Sequence, residues 1–206
     1  MIVRRAELIE RMTADWDKRF VMDPFVPSDD DDPGAASIDF HLGNRFLLAR
    51  RGLGVGIANL GASDAEEDAA STKEMYVPNG QPFPIYPRQL VLGVSLEWFR
   101  VPRDMMASIV DRSAWGRHGL MISIARSIHP GGSGNVTLEI ANLGETVMIV
   151  HPGKAIGQLQ FTRVDELKKG EPHQHTGWCA MVRPELKPYR DSSWEKFLLA
   201  DPRFTR

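Results

Sequence analysis

The chain has 206 residues, of which 42% are hydrophobic and 25% are charged, so it is long enough to bury one substantial core. Its 25 basic and 27 acidic side chains give a formal net charge of -2, which excludes the strongly basic footprint of a duplex-DNA binder. Cys179 is its single cysteine, which excludes an intrachain disulfide and a multi-thiolate metal site.

The amino-terminal segment predicts a packing helix over residues 4–20, because its apolar residues recur at helical spacing. These residues are Leu8, Ile9, Met12 and Trp16. The sequence MIVRRAELIERM lacks the apolar stretch of a signal peptide, and no later run is long enough to cross a membrane. We therefore expect a cytoplasmic protein that does not bind a membrane.

Residues 38–164 contain short apolar runs separated by Gly, Pro and Asn, which is typical of an all-β sandwich or barrel. The runs are SIDFHLGNRFLLARR, QLVLGVSLEWFRVP, MASIVDRS, NVTLEIAN, ETVMIVHPG and AIGQLQFTRV. The predicted fold class is mainly β. We expect a single domain over residues 1–206, with a helical segment over 1–25, a β core over 38–164 and an extended arm over 165–206.

The stretch DRSAWGRHG combines guanidinium, hydroxyl and accessible main-chain N–H groups around small residues. Arg112, Ser113 and Arg117 suit an anion, because guanidinium forks match phosphate oxygens bidentately. An ordinary turn that contains Arg and Ser would give the same pattern.

The stretch NVTLEIAN predicts a strand that sends Val136, Leu138 and Ile140 to one face and Glu139 to the other. A sheltered carboxylate in that position suits a general base, although this stretch alone favours a surface glutamate on an exposed strand face. The preceding HPGGSG, residues 129–134, favours a tight turn or a close approach of the backbone to a ligand.

Several site classes are excluded by their missing motifs. A zinc deaminase needs His-x-Glu and Pro-Cys-x-x-Cys, and neither is present. A Walker phosphate loop and a Gly-x-Ser-x-Gly elbow are also absent. The segment PHQH, residues 172–175, could bind a metal together with Cys179, but two histidines in a polar loop are more often solvated.

The motifs in their order resemble the dCTP deaminase family, of the dCTP deaminase/dUTPase superfamily, from about Ile38 to Phe161 and more loosely to Lys196. ASIDFHLGNRF is similar to the family's Asp-x-x-Leu-Gly strand, and DRSAWGRHGLM resembles its nucleotide-binding segment. GGSGNVTLEIANLG resembles its catalytic Leu-Glu stretch, and HPGKAIGQLQF its closing strand. The resemblance implies a distorted β jelly roll that assembles as a homotrimer with active sites between subunits.

The resemblance also implies a reaction and its residues. The family converts dCTP to dUTP and ammonia without protein-bound zinc, and Mg2+ travels with the triphosphate. Glu139 would be the general base and acid, with Ser113 and Arg117 placing the water and the nucleotide. The remaining implied substrate contacts are Arg112, Ala114, Trp115 and Gly116 at the phosphates, His129 at the sugar, the main chain of Thr137 and Leu138 at the base, and Tyr189 and Lys196 closing from the tail.

Two departures from the family pattern keep other functions open. Ala114 stands where the family has a second serine, and His129 stands where it has an aspartate that holds the sugar. Imidazole changes the charge and the hydrogen-bonding pattern offered to the 3'-hydroxyl. The alternatives are a dUTP or dCTP pyrophosphatase, alone or combined with deamination, and a catalytically inactive nucleotide-binding trimer.

Overall fold

The computed structural model describes residues 1–27, 32, 34–49, 72–122, 127–165 and 179–181. The chain forms two compact units, Met1–Leu48 with Glu74–Glu185, and Ala49–Lys73 with Leu186–Arg206. Within the second unit, Ala49, Thr72 and Lys73 are described. The predicted arm over 165–206 therefore lies almost wholly outside the described residues, and the single domain stays a prediction.

Strands dominate the described residues, which confirms the mainly β class. Helix α1 spans Arg5–Arg11, a 3-10 turn spans Trp16–Lys18, and helix α2 spans Ser113–Gly116. The strands are β1 (Val21–Asp23), β2 (Ile38–His41), β3 (Arg45–Ala49), β4 (Thr72–Tyr76), β5 (Phe83–Ile85), β6 (Leu90–Arg100), β7 (Met105–Asp111), β8 (Leu120–Met121), β9 (Ser127–Ile128), β10 (Ser133–Asn142), β11 (Met148–Val150), β12 (Ala155–Arg163) and β13 (Cys179–Met181). No helix in the described ranges is long and apolar enough to cross a membrane.

The amino-terminal helix is shorter than the predicted span of residues 4–20, because the chain turns back after Arg11. The main-chain N–H of Phe20 donates to the carbonyl of Arg11 at 3.1 Å, and the Phe20 ring packs edge-on against Phe161. Arg11 makes a bidentate pair with Asp104 at 3.0 and 2.9 Å, which raises the pKa of the guanidinium. Trp16 is left 60% exposed, so its helical spacing did not indicate packing.

Two main sheets enclose the core. One has the order β13-β10-β6-β3-β4, with β1 also pairing with β6 and β8 with β10. The other has the order β2-β12-β7-β9, and a separate pair joins β11 to β5. The largest fully buried side chains include Phe40, Phe46, Phe99, Phe161 and Leu42. Each such side chain contributes about 1.5–3 kcal/mol by leaving water.

The long antiparallel strands β6 and β10 lie at the centre of the larger sheet, and the register between them changes once. Asn135 lies opposite Trp98, whereas Thr137 lies opposite Val94. Val136 therefore faces three residues of β6, Ser95 to Glu97, in a β-bulge. From Thr137 onward the pairing is regular, and it puts Glu139 opposite Leu92.

Candidate active site

The predicted anion-binding residues lie in one tight turn at the end of β7. Arg112 precedes α2, and its carbonyl accepts from the N–H groups of Trp115 and Gly116 at 2.9 and 3.1 Å. The N–H of Arg117 donates to the carbonyl of Ser113 at 3.0 Å. Ser113, Ala114, Gly116 and Arg117 are all exposed. The turn thus presents a hydroxyl and a guanidinium on the surface of the chain.

Trp115 anchors this turn. Its side chain packs against the hydrophobic core, and its Nε1–H donates to the carbonyl of Ala155 at 3.3 Å. Trp115, a bulky residue among small ones, therefore has a structural role in this chain. A substrate contact by Trp115 stays a prediction. Because its side chain is packed against the core, the contact would come from its main chain.

Arg112 is oriented by a carboxylate that the sequence analysis did not assign to the site. Its Nη1 donates to Asp39 Oδ2 at 2.9 Å, and Gln158 Nε2 donates to Asp39 Oδ1 at 2.8 Å. The Arg112 side chain is 35% exposed. A guanidinium has five N–H donors, so this bond to Asp39 holds the group while further donors remain for an anion.

Glu139 lies on the face of β10 that the alternation predicted. Val136, Leu138 and Ile140 are buried in the core, and Thr137 and Glu139 on the opposite face are partly buried. Leu138 is fully buried, so its main chain is the part that could reach a ligand. Burial in the core thus agrees with the main-chain contact expected for Leu138, which stays a prediction.

The two edges of β10 have different partners among the described residues. Strand β6 pairs along one edge of β10, whereas the other edge pairs with β13 at Ser133 and Gly134 and with β8 at Ala141 and Asn142. Between those contacts, no strand within the described ranges pairs with the second edge of β10. Residues 123–126, which follow β8 in the sequence, lie outside the described residues.

The hydroxyl of Thr137 is the unusual polar group of this face. Its Oγ1 is buried and has no hydrogen-bond partner among the described residues. Thr137 precedes Glu139 by two residues, so the two side chains lie on the same face of the strand. A buried polar group without a partner calls for an explanation such as a water or a ligand.

Strand β8 brings the anion turn and β10 together. It follows α2 directly and pairs with the carboxyl end of β10, Ala141 and Asn142. The connecting Gly119 has φ +87°, and its carbonyl accepts from the N–H of Leu143 at 2.8 Å. A Cβ at Gly119 would lie 2.8 Å from the Gly144 nitrogen, so only glycine fits this close approach.

His129 lies in the turn that leads into β10, as the HPGG sequence predicted. The N–H of Gly132 donates to the carbonyl of His129 at 3.0 Å, and Gly131 has φ +74°. The His129 side chain is exposed. It precedes β10, whereas Glu139 lies in the second half of that strand, so the two residues occupy different points along it.

With this geometry established, the comparisons with known proteins identify the family. The dCTP deaminase-like family model matches residues 2–164. The chain is 33% identical over 165 residues to a dCTP deaminase of Halorubrum lacusprofundi, covering 80% of this chain and 78% of that protein. The chain belongs to the dCTP deaminase family.

Other relatives carry a different name within the same family. A protein of Methanobrevibacter smithii named "dCTP deaminase, dUMP-forming" is 30% identical, covering 81% of this chain and 86% of its own length. One of Halobacterium salinarum with the same name is 35% identical, covering 79% of this chain and 73% of its own.

A solved structure confirms the fold class. The 2'-deoxycytidine 5'-triphosphate deaminase of Agrobacterium tumefaciens superposes with a TM-score of 0.56 at 20% identity. The match covers 78% of this chain and 47% of that one, so the chain spans about half the length of the solved relative.

Two residues of the expected site, and the histidine segment that was weighed as a metal ligand, fall outside the described residues. They are Tyr189, Lys196 and the PHQH segment, residues 172–175. Cys179 is described and begins β13, which runs parallel to the start of β10. Within the described ranges, no group of three or more His, Cys, Asp or Glu side chains is placed to hold a metal ion.

Sequence reasoning also missed two polar residues that are buried in β6. Ser95 and Glu97 share the parity of Val91 and Phe99 along β6, and all four are buried. The signal that could have found them is a polar residue at a position where the period-two alternation of an apolar strand predicts a core residue.

Proposed function

We propose that the chain deaminates dCTP to dUTP and ammonia, with Glu139 as the group that moves the protons. The observation that carries the proposal is the partly buried position of Glu139 on β10, on the strand face opposite the core residues Leu138 and Ile140. Membership of the dCTP deaminase family and the name of the Halorubrum relative support it. The cytoplasmic location expected from the sequence belongs to the same proposal.

The chemistry needs one group that accepts and returns protons at cytosine C4. The Glu139 carboxylate takes a proton from water as the C4–O bond forms, and passes it to N3. It then takes the proton of the new C4 hydroxyl and gives it to the amino nitrogen as the C4–N bond breaks. The nitrogen leaves as ammonia, and the ring keeps a C4 carbonyl and an N3–H.

The exposed turn at residues 112–117 would bind the phosphate side of the nucleotide. Ser113 and Arg117 are exposed there, and Arg112 is held by Asp39. In this proposal Mg2+ arrives with the triphosphate, and the protein holds no zinc, because the His-x-Glu and Pro-Cys-x-x-Cys ligands are missing from the sequence.

A homotrimer with active sites between subunits forms part of the proposal. Ser113 and Arg117 point to the outside of their own chain, where a second subunit could complete the site. His129 would meet the sugar, and Tyr189 and Lys196 of the tail would close over the nucleotide.

A second candidate is a bifunctional enzyme that also releases pyrophosphate and forms dUMP. It is favoured by the two relatives named dUMP-forming, at 30% and 35% identity. His129 argues against strong pyrophosphatase activity, because it replaces the aspartate that, by the resemblance to the superfamily, would help to position the hydrolytic water near the phosphate.

The test incubates the purified protein with dCTP and Mg2+ and measures dUTP, dUMP, ammonia and pyrophosphate. Glu139→Gln keeps the shape of the side chain but cannot take a proton, so we expect its turnover to fall roughly 10²- to 10⁴-fold. Glu145→Gln is the matched control, because Glu145 is an exposed glutamate just beyond β10. Its turnover should match that of the unmodified protein.

Each product pattern decides between the candidates. Ammonia without pyrophosphate identifies the simple deaminase, and both products together identify the dUMP-forming enzyme. Pyrophosphate alone identifies a pyrophosphatase, and tight dCTP binding without turnover identifies an inactive binding protein. Deamination that survives Glu139→Gln would overturn the assigned role of that residue.

A further inference from the structure

The bulge between β6 and β10 determines where Glu139 lies along the sheet. Before the bulge Asn135 pairs with Trp98, and a register continued from there would put Glu139 opposite Val94. The bulge puts it opposite Leu92 instead. Two residues of strand correspond to about 7 Å, which is far more than a proton-transfer group can tolerate.

Asn135 and Ser95 hold the bulge from its two strands. The Asn135 amide donates to the carbonyls of Ser95, Leu96 and Glu97 at 3.0, 3.3 and 3.0 Å. The Ser95 hydroxyl donates to the carbonyl of Glu97 at 2.8 Å and accepts from the N–H of Val136 at 2.8 Å. These bonds satisfy main-chain groups that the irregular ladder leaves unpaired.

Glu97 joins the same bulge to strand β2. Its carboxylate is fully buried and accepts from the main-chain N–H of His41 at 2.9 and 3.1 Å, with the His41 Nδ1 at 2.5 Å. These hydrogen bonds offset the free-energy cost of burying the polar side chain of Glu97. Two residues before His41 on β2 lies Asp39, which holds Arg112. The bulge is therefore linked to both halves of the proposed site.

We propose that Ser95, Glu97 and Asn135, called here the bulge cluster, are positioning residues for the reaction at Glu139. They touch no nucleotide; they fix the register of β10 so that Glu139 meets the base in one geometry. This inference rests on the proposed function. It differs from a purely structural role because it predicts a loss of turnover in molecules that are fully folded.

The test compares Ser95→Ala, Ser95→Thr and the control Ser108→Ala, with kcat and KM for dCTP and the folded fraction measured at one temperature. Ser108 is a partly buried strand serine of β7, on the other sheet. We expect Ser95→Ala to lower kcat roughly 10- to 100-fold and to change KM less, because the misplaced group acts in the chemical step. Ser95→Thr keeps the hydroxyl and should recover kcat to within about threefold of the unmodified protein.

Three outcomes would overturn the positioning role. They are an unchanged kcat in Ser95→Ala, a loss of activity that equals its loss of folded protein, and an equal loss in folded Ser95→Thr. If the unmodified protein shows no Glu139-dependent turnover, the function proposal fails, and amide hydrogen exchange at residues 138–140 then tests the part of the inference that remains, which is that the bulge cluster fixes the register of β10. Faster exchange in Ser95→Ala than in Ser108→Ala supports it, and equal exchange refutes it.

Discussion

The two ends of β10 and its middle use their polar groups in different ways. At one end the Asn135 amide binds three carbonyls of β6, and at the other the Asn142 amide donates to the carbonyls of Ile85 and Thr146 at 2.9 and 2.8 Å. In the middle, Thr137 Oγ1 is buried without a partner among the described residues. The ends are bonded into the fold, whereas in the middle the described residues leave the Thr137 hydroxyl available to a ligand.

The largest expected effect comes from Asn135→Asp, which breaks the hydrogen bonds between the amino end of β10 and β6. The change replaces a donor to three carbonyls by a carboxylate that repels them, so we expect the free energy of unfolding to fall by about 3 kcal/mol at pH 7. Urea unfolding of the variant and of Asn79→Asp measures this. Asn79 is exposed in a turn, and its variant should stay within about 0.5 kcal/mol of the unmodified protein.

The same variant has a pH dependence of known sign. Burial beside carbonyl oxygens disfavours the ionised form of the introduced carboxyl, so its folded pKa exceeds its unfolded value of about 3.9. The deficit relative to the unmodified protein is therefore largest at neutral pH and shrinks as the pH falls toward 4. An equal deficit at pH 7 and pH 4 would mean that the lost amide donors, and not the charge of the carboxylate, cause the destabilisation.

An intermediate effect is expected when a side chain is added at Gly43, in the turn between β2 and β3, where it would contact the bulge. A Cβ at Gly43 would lie 2.7 Å from the carbonyl oxygen of Val94 and 2.9 Å from that of Ser95. We expect Gly43→Ala to lower the free energy of unfolding by about 2 kcal/mol, or Tm by roughly 4–8 °C. Calorimetry should show no such loss for Gly116→Ala, because a Cβ there meets nothing within 4 Å. Similar Tm values for the two variants would contradict a tightly packed bulge.

The sequence predicted those parts of this arrangement that depend on periodicity. The alternation of Val136, Leu138 and Ile140 correctly gave the buried face of β10, and the short apolar runs gave the β class. The helix over residues 4–20 was wrong in extent, because the contact between Phe20 and Phe161 turns the chain back after Arg11. Helical spacing alone cannot register such a tertiary contact.

The polar anchors escaped prediction for a different reason. Ser95 and Asn135 are distant in sequence, and they meet only because the bulge breaks the regular register between β6 and β10. Asp39 was recognised within a motif, but its bond to Arg112 joins β2 to the end of β7 across the sheet order. Such contacts depend on register and topology, which one sequence specifies only through the complete fold.

The smallest and sharpest test concerns the middle of β10, through Thr137→Val. Valine matches the shape of threonine and removes a hydroxyl that has no described partner, so we expect the free energy of unfolding to stay the same or rise by up to about 1 kcal/mol. If the hydroxyl serves the nucleotide, KM for dCTP should rise roughly five- to tenfold, the equivalent of one hydrogen bond. Thr162→Val on β12 is the matched control, because Thr162 is also a partly buried strand threonine, and it should leave KM unchanged. A Thr137→Val protein that is less stable but binds dCTP normally would show that this hydroxyl belongs to the fold, and that the middle of the strand is no more reserved for a ligand than its ends.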